Sequence, residues 1–270
     1  MKVTASGYYA WLNRPLSQRQ RENERLAVEI RAVHKQTRET YGSERLHQEL
    51  VKKGVQVSLH RVRKIRKDLG IRCKQKRKFK ATTDSRHALP VAENLLKQEF
   101  AATAPNQIWV TDITYIGTDE GWLYLASHKD LFTREIVGYA MSERMTKNLV
   151  NQSLFRAVSS KRPSAGLVVH SDRGSQYCSR EHRKLLTQFG IKASMSGKGN
   201  CYDNAPMESF WGILKTELVH HKRYGTRAEA RNDIQEYIEI FYNRQRLQAS
   251  LNFLPPVVFA KDYYKNAAAA

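Results

Sequence analysis

The sequence lacks the features of several classes of protein. Its three cysteines, Cys73, Cys178 and Cys201, are far apart and form no Cys-x-x-Cys pair, so neither a disulfide framework nor a zinc knuckle is predicted. No run of about 18 apolar residues is present, and no apolar secretory segment follows Met1. We therefore expect a cytoplasmic protein without a membrane span.

Acidic residues are scarce relative to basic ones. The chain holds 46 Lys and Arg against 26 Asp and Glu, a net charge of +20. Residues 1–100 contain 24 basic and 10 acidic side chains, whereas residues 101–270 contain 22 and 16. This excess favours a polyanionic partner such as nucleic acid, because neutralising phosphates releases condensed counterions. A ribosomal or membrane-surface protein would have a similar charge, so the charge indicates a class of partner and not an activity.

The basic first third predicts a helix-turn-helix. Apolar residues recur at helical spacing in residues 19–36, 43–53 and 59–69. The third helix carries five cations on the side opposite its apolar residues: Arg61, Arg63, Lys64, Arg66 and Lys67. Two short helices joined by a tight turn, the second with a basic face, favour contact with nucleic acid. A plain helical hairpin with a solvated charged face is the alternative.

A basic linker follows this helix. It includes the cations Lys74, Lys76, Arg77 and Lys78 and is followed by a polar stretch that ends at Pro90. Such a run is typical of a segment that follows a phosphate backbone.

The pattern changes after Pro105. Residues 107–116, 122–127, 134–141, 166–170 and 191–195 are predicted strands, and residues 146–161, 179–189 and 206–218 are predicted helices. The order βββαβαβα predicts an α/β fold with a ribonuclease-H-like mixed five-stranded sheet flanked by helices. We expect three parts: a helical basic domain with its linker (1–90), a catalytic core (91–222) and a C-terminal helical extension (223–270).

Two aspartates are placed to meet in this topology. Asp112 lies in the middle of the first strand, where a carboxylate is costly to bury unless it is paired or bound to a metal. Asp172 follows the strand that ends at His170, although Asp-x-Gly is also ordinary turn chemistry. A satisfied strand aspartate is the alternative for Asp112. If the two strands are neighbours, the two carboxylates would share one cation.

The third candidate carboxylate is Glu208, near the start of the helix predicted at 206–218. Of the competing acids, we interpret Asp203 as a turn or cap residue and Glu217 as a surface residue. Three carboxylates suit two Mg²⁺ ions, because Mg²⁺ prefers hard oxygen ligands and retains several waters. Two ions flanking a phosphate are typical of in-line phosphoryl transfer.

Several motifs together resemble one family. They are SGYYAWLNRP at 6–15, WVTDITYI at 109–116, GWLYLA at 121–126, HSDRGSQY at 170–177, SMSGKGNCYDNAPMESF at 194–210 and YIEIFYNR at 237–244. The chain resembles the insertion-sequence transposases with two overlapping reading frames, and it matches the second-frame (OrfB) product over nearly its whole length. The core of that product is similar to retroviral integrases.

The resemblance implies a site and a reaction. Asp112, Asp172 and Glu208 would be the catalytic, metal-binding DDE triad with two Mg²⁺ or Mn²⁺ ions. Water would cleave a phosphodiester at an element end, and the freed 3′-OH would attack another DNA phosphodiester. Arg173, Lys198 and Lys215 are further candidates for contacts with DNA.

The resemblance also implies partners. They are DNA, as terminal inverted repeats and target, further copies of the chain in a homo-oligomer on DNA, and the first-frame (OrfA) product. No heptad run is present, so we expect the chain to act with OrfA or fused to it, at the bacterial nucleoid.

Alternatives and one departure stay open. A ribonuclease H would share the fold but would need a further carboxylate on the first core helix, and residues 146–161 contain no Asp or Glu. A non-catalytic DNA-binding regulator is the other alternative. A retroviral integrase would carry a His/Cys zinc module, which is absent from this sequence. The departure is Gln248, near which the family usually has a histidine.

Overall fold

The structure is a computed structural model that describes residues 3–74, 90–197 and 201–269. The chain divides into two compact units, Met1–Lys74 and Gln75–Ala270. The boundaries predicted at residues 90 and 222 stay predictions. In the described part of the chain, no helix is long and apolar enough to cross a membrane.

The first unit contains four helices: α1 (Ala5–Leu12), α2 (Gln18–Gln36), α3 (Ser43–Lys52) and α4 (Leu59–Asp68). The predicted apolar positions form its core, with Leu26, Ile30, Val33, Leu46, Leu50, Val62 and Ile65 all buried. Ser58 caps α4, because its hydroxyl accepts a hydrogen bond from the Arg61 amide at 3.3 Å. The predicted pair of short helices with a tight turn is therefore α3 and α4.

The second unit contains a five-stranded sheet and the helices between its strands. Its elements are β1 (Ile108–Thr118), β2 (Gly121–Asp130), β3 (Ile136–Ser142), α5 (Lys147–Lys161), β4 (Val168–Ser171), α6 (Arg180–Gln188), β5 (Lys192–Met195) and α7 (Ala205–Glu217). The strand order is β3-β2-β1-β4-β5. The first three strands pair antiparallel, whereas β4 pairs parallel with both β1 and β5. The predicted ribonuclease-H-like mixed sheet is confirmed.

Helices α5 and α6 cover one face of the sheet. Trp109 of β1, Leu154 of α5 and Leu186 of α6 lie in one buried apolar cluster. Helix α5 approaches β3 closely at Gly138, where an added Cβ would lie 2.5 Å from the amide nitrogen of Ala157. Only glycine fits there, so the sequence brings α5 directly onto the sheet.

The chain after α7 is helical, as predicted. It contains α8 (Arg227–Glu236), a π-helical segment (Tyr237–Gln245) and α9 (Pro256–Ala269). Asn243 of the π-helical segment pairs with the edge strand β3, since its side-chain amide donates to Ile136 O and accepts from Ile136 N, both at 3.0 Å. This pairing satisfies backbone groups that would otherwise be open at the sheet edge.

Candidate active site

The register of β1 and β4 brings the two aspartates together. Val110 lies opposite His170 in the parallel pair. Asp112 lies two positions after Val110, and Asp172 lies two positions after His170. Adjacent strands are separated by about 4.8 Å, so Asp112 and Asp172 reach the same edge of the sheet. The prediction that these two strands are neighbours is confirmed.

Helix α7 adds the third carboxylate. Trp211 is buried, and its indole N–H donates to Asp112 Oδ2 at 2.9 Å. Glu208 lies one turn before Trp211 on the same side of the helix, and its side chain is exposed. The contact between Trp211 and Asp112 therefore brings Glu208 towards the two aspartates.

The pKa of Asp112 is affected by the charges of the two neighbouring carboxylates. Burial, and after it the negative charge of Asp172, raises the pKa of Asp112 to about 7. The charge of Glu208 acts in the same direction, whereas hydrogen bonds from the Ile113 amide and Trp211 lower the pKa. Burial also raises the pKa of Glu208. The charges of Asp172 and Glu208 thus disfavour ionisation of Asp112, and a divalent cation would relieve this.

The described residues do not form a closed metal cage. Across 3–74, 90–197 and 201–269, no group of three or more His, Cys, Asp or Glu side chains is arranged so that it could hold an ion. The three carboxylates are nevertheless hard oxygen donors that interact electrostatically, and this donor set is chemically suited to Mg²⁺ or Mn²⁺.

Hydrogen bonds fix the loop after β4, which carries Asp172. Asp172 Oδ1 accepts a hydrogen bond from the Gly174 amide at 2.9 Å, which closes the turn. Tyr177 is buried, and its hydroxyl lies 3.2 Å from the Thr111 hydroxyl on β1. Burial, followed by the charges of Asp112 and Asp172, raises the pKa of Tyr177, which places this ring beside both aspartates.

His170 packs between β4 and β5. Its side chain is fully buried, with Nδ1 2.8 Å from Ser194 Oγ and Nε2 3.3 Å from Ser196 Oγ. Burial lowers the pKa of His170, so the ring is a neutral member of the β4–β5 contact.

The predicted DNA-contact residues near the carboxylates have partners within the protein. Arg173 Nε donates to the backbone carbonyl of Ser196 at 2.7 Å. Lys215 is only 8% exposed, and its ammonium lies 5.0 Å from the centre of the Tyr115 ring. Lys198 lies outside the described residues.

In the first unit the predicted cations differ in accessibility. Lys64 and Lys67 are exposed on α4, and Arg63 is exposed with a 3.4 Å ion pair to Glu44. Arg61 is more enclosed, since its guanidinium donates to Asn23 at 2.8 Å and to Glu22 at 3.0 Å. Lys74 is half-buried, and Lys76, Arg77 and Lys78 lie outside the described residues.

Two acids have structural roles in the core. Asp203 is buried and accepts hydrogen bonds from the Gly197 amide at 2.6 Å and from Asn94 at 2.9 Å, so it holds the loop before α7. The interpretation of Glu217 as a surface residue is wrong. Glu217 is 7% exposed and forms an ion pair with Arg246, whose Nη2 lies 2.7 Å from Oε1. Its partner is distant in sequence and gave no local signal.

Two donors near Asp112 and Glu208, one on α7 and one facing it, were not predicted from the sequence. Trp211 of α7 has the apolar bulk of a core residue, and its indole N–H binds Asp112. Lys129 of β2 is buried and donates to the carbonyl of Pro206 at 3.2 Å, next to the turn that carries Glu208. Burial, with Arg134 and Arg246 nearby, lowers the pKa of Lys129 to about 7. The predicted strand at 122–127 ended before Lys129, whereas β2 continues to Asp130, so the burial of this lysine was not predicted.

Models of known families match most of the chain. The integrase core domain matches residues 102–201, a second integrase core domain model matches residues 208–262, and an HTH-like domain matches residues 20–79.

Curated relatives match over almost the full length. The chain is 57% identical to the insertion element IS600 uncharacterized 31 kDa protein of Shigella sonnei, over 98% of each chain. It is 40% identical to the transposase InsF for insertion sequence IS3A of Escherichia coli, over 96% of this chain and 91% of the relative. Among solved structures, the simian T-cell lymphotropic virus intasome in complex with the PP2A regulatory subunit B56 gamma matches at 17% identity with a TM-score of 0.50. That match covers 86% of this chain and 74% of the viral chain, and it supports the fold alone.

Proposed function

Since the chain belongs to the IS3 family of insertion-sequence transposases, which have an integrase core domain, we propose that it cleaves the ends of an insertion sequence and joins the freed 3′-OH to DNA. The observation that supports this proposal is that the charges of Asp172 and Glu208 both act on the buried carboxylate of Asp112. We propose these three residues as the catalytic DDE triad.

The three carboxylates would hold two Mg²⁺ or Mn²⁺ ions. When bound, such ions activate the attacking oxygen and stabilise the leaving oxygen of a phosphodiester. The protein supplies position: Trp211 fixes the Asp112 carboxylate, and the Gly174 amide fixes that of Asp172. In the first reaction water replaces the 3′ oxygen at phosphorus, and in the second the freed 3′-OH replaces another 3′ oxygen. In each displacement the attacking oxygen bonds directly to phosphorus and one 3′ hydroxyl is released. No covalent enzyme intermediate is therefore needed.

A ribonuclease-H-like nuclease is the competing function. We favour the transposase because α5, the first helix after the three-stranded meander, carries no Asp or Glu that could serve as a further ligand. A regulator without catalytic activity is less consistent with three acids kept together despite their mutual repulsion.

DNA binding would be shared between the two units. In the first unit the exposed side of α4 carries Arg63, Lys64 and Lys67, and in the second Arg173 and Lys215 lie close to the aspartates. We propose that the substrates are the terminal inverted repeats and a target DNA, and that the chain acts in the bacterial cytoplasm as a homo-oligomer with the OrfA product.

The test is a strand-transfer assay with labelled element ends in Mg²⁺ and in Mn²⁺. Asp112→Asn, Asp172→Asn and Glu208→Gln are each expected to reduce strand transfer at least about 100-fold, because several kcal/mol of charge stabilisation would be lost. Asp262→Asn, at an exposed position on α9, is the matched control and should retain activity. Full activity in any one of the three variants would remove that residue from the triad.

A further inference from the structure

An exposed tryptophan lies on β2, the strand that pairs with the Asp112 strand β1. The side chain of Trp122 is 53% exposed, although tryptophan is highly buried on average in folded proteins. Its ring packs over Gly117, where an added Cβ would lie 3.5 Å from the ring. The ring also meets Tyr115 edge to face, with centroids 4.9 Å apart and an angle of 76° between the planes. We call Tyr115 and Trp122 the aromatic platform.

The hairpin that carries the platform is held in place. Arg227 at the start of α8 donates to the carbonyls of Trp122 at 3.2 Å and Glu120 at 2.6 Å. Its amide also donates to the Glu120 carboxylate at 2.8 Å. The backbone beneath Trp122 is therefore fixed before any ligand arrives, which lowers the ordering cost of binding.

A cation links the platform to the carboxylates. The Lys215 ammonium lies 5.0 Å from the centre of the Tyr115 ring. Burial lowers the pKa of Lys215, whereas the negative charge of Asp112 raises it, so the ammonium is within electrostatic range of the aspartate. A ligand that stacks on the exposed Trp122 ring would thus meet an aromatic face with a positive charge near the adjoining Tyr115 ring, which complements a nucleotide and not a purely apolar segment.

The spacing fits a strand of DNA. Trp122 pairs with Gly117, which is five residues from Asp112 along β1, or about 17 Å at the usual rise of a strand. Nucleotides rise about 3.4 Å each along one strand of a duplex. A base on the Trp122 ring would therefore be about five nucleotides from a phosphate at the carboxylates.

We propose that the aromatic platform stacks an unpaired nucleobase of the DNA strand whose phosphodiester lies at the carboxylates. This inference rests on the proposed function and adds a base-binding site to it. Stacking tolerates any base, because every base has a π face. The platform would then hold the end of the duplex open about five nucleotides from the reacting phosphate without reading its sequence.

Binding of two forked oligonucleotides to the full chain tests the proposal. One fork carries five unpaired nucleotides, the other carries abasic sites at those positions with the same phosphates, and affinities are measured by fluorescence anisotropy without divalent metal. The wild-type chain is expected to bind the base-containing fork about 5- to 100-fold more tightly. Trp122→Phe should retain most of this preference, and Trp122→Leu should lose it. Both variants keep an apolar side chain against Gly117, so both are expected to fold.

The control is Phe155→Ala, which removes a 57% exposed aromatic ring of α5 and should keep the full preference for bases. Equal binding of both forks by the wild-type chain would overturn the proposal. A Trp122→Leu variant that keeps the preference for bases would also overturn the proposal. The platform would then bind through apolar contact, as a protein–protein surface does, and not through aromatic stacking.

The outcome is separable from that of the proposed function. Strand transfer that requires the three carboxylates, combined with no preference for bases, rejects the platform alone. A base preference that depends on Trp122, in a chain whose strand transfer ignores the carboxylates, rejects the proposed function alone.

Discussion

Two buried histidines of the second unit, one on β2 and one on α6, are neutral. His128 of β2 lies 2.9 Å from the Ser153 hydroxyl, and His182 of α6 lies 2.8 Å from the Asn151 side-chain oxygen. Burial, and secondarily the nearby His182, lowers the pKa of His128 to about 3. Burial lowers the pKa of His182 to about 4. Each ring therefore resists protonation in the folded chain, which makes folding sensitive to acid.

The pH dependence of stability should show this. Below about pH 6.5 the unfolded chain binds a proton at each histidine, whereas the folded chain binds none at His182 until about pH 4, so stability falls as the pH falls through this window. We predict that replacing His182 by Gln removes about 2 kcal/mol of the loss in unfolding free energy between pH 7 and pH 5. Urea unfolding of wild type and variant at both pH values measures this difference.

The comparison with wild type is needed because the raised pKa of Asp112 acts in the opposite direction. A carboxylate with a raised pKa takes up its proton in the folded state first, so it stabilises the fold as the pH falls. That contribution is common to both proteins and cancels in the difference. Parallel pH profiles of the two proteins would contradict the assignment of a neutral buried His182.

At the scale of elements, α7 is fixed along its whole length. Lys129 donates to the carbonyl of Pro206 in its first turn, Trp211 binds Asp112 at its middle, and Glu217 pairs with Arg246 at its end. Tyr237 also donates to Glu217 Oε2 at 2.7 Å. The helix that carries Glu208 is therefore held by β1, by β2 and by the segment after it.

The pair of Arg246 and Glu217 should behave as a buried ion pair. The Arg246 side chain is 2% exposed and that of Glu217 is 8% exposed. We predict that Arg246→Met lowers the unfolding free energy by about 3–5 kcal/mol, because it leaves the Glu217 charge uncompensated. The double variant Arg246→Met, Glu217→Met should lose less than this single variant, since no buried charge is left alone. Urea unfolding of the single and double variants measures both effects.

A surface ion pair provides the matched control. Arg223 and Asp119 also link the chain after α7 to the β1–β2 hairpin, but their side chains are 86% and 50% exposed. Arg223→Met is therefore expected to cost less than about 1 kcal/mol. If Arg223→Met and Arg246→Met cost the same, burial is not the source of the effect at Arg246.

The same helix shows what the sequence could predict. Periodicity placed β1, β4 and α7, and the ribonuclease-H-like topology inferred from the order of elements put Asp112 beside Asp172. The link between Glu217 and Arg246 was not predictable, because it joins residues 29 positions apart through a π-helical segment. In that segment the Arg246 amide donates to Phe241 O at 2.7 Å, the spacing of a π-helical turn, which carries no periodic signal of its own.

At the scale of the whole molecule, much of the positive charge and the proposed active site lie in different units of the chain. Of the net charge of +20, the 74 residues of the first unit carry +11 (18 basic, 7 acidic), whereas the carboxylates lie in the unit Gln75–Ala270. The chain thus carries much of its attraction for polyanions in a different unit from its proposed chemistry. Removing charge from α4 should therefore weaken DNA binding without changing the carboxylate site.

The salt dependence of DNA binding tests this division. The variant Arg63→Gln, Lys64→Gln, Lys67→Gln removes three exposed cations of α4. Each phosphate contact contributes about 0.9 to the slope of log Kobs against log salt, so we predict a slope shallower by about 2 to 3 and weaker binding at low salt. Anisotropy titrations of a duplex at several salt concentrations give both quantities.

A second triple variant separates a DNA-facing helix from net charge. Arg19→Gln, Arg21→Gln, Arg25→Gln removes the same charge from exposed positions of α2, which precedes the two helices of the predicted helix-turn-helix. If α4 lies against DNA, its variant loses the larger part of the slope, because condensed counterions are released only where cations reach phosphates. Equal losses in the two variants would mean that the first unit attracts DNA through its overall charge and that α4 is not the DNA-facing element.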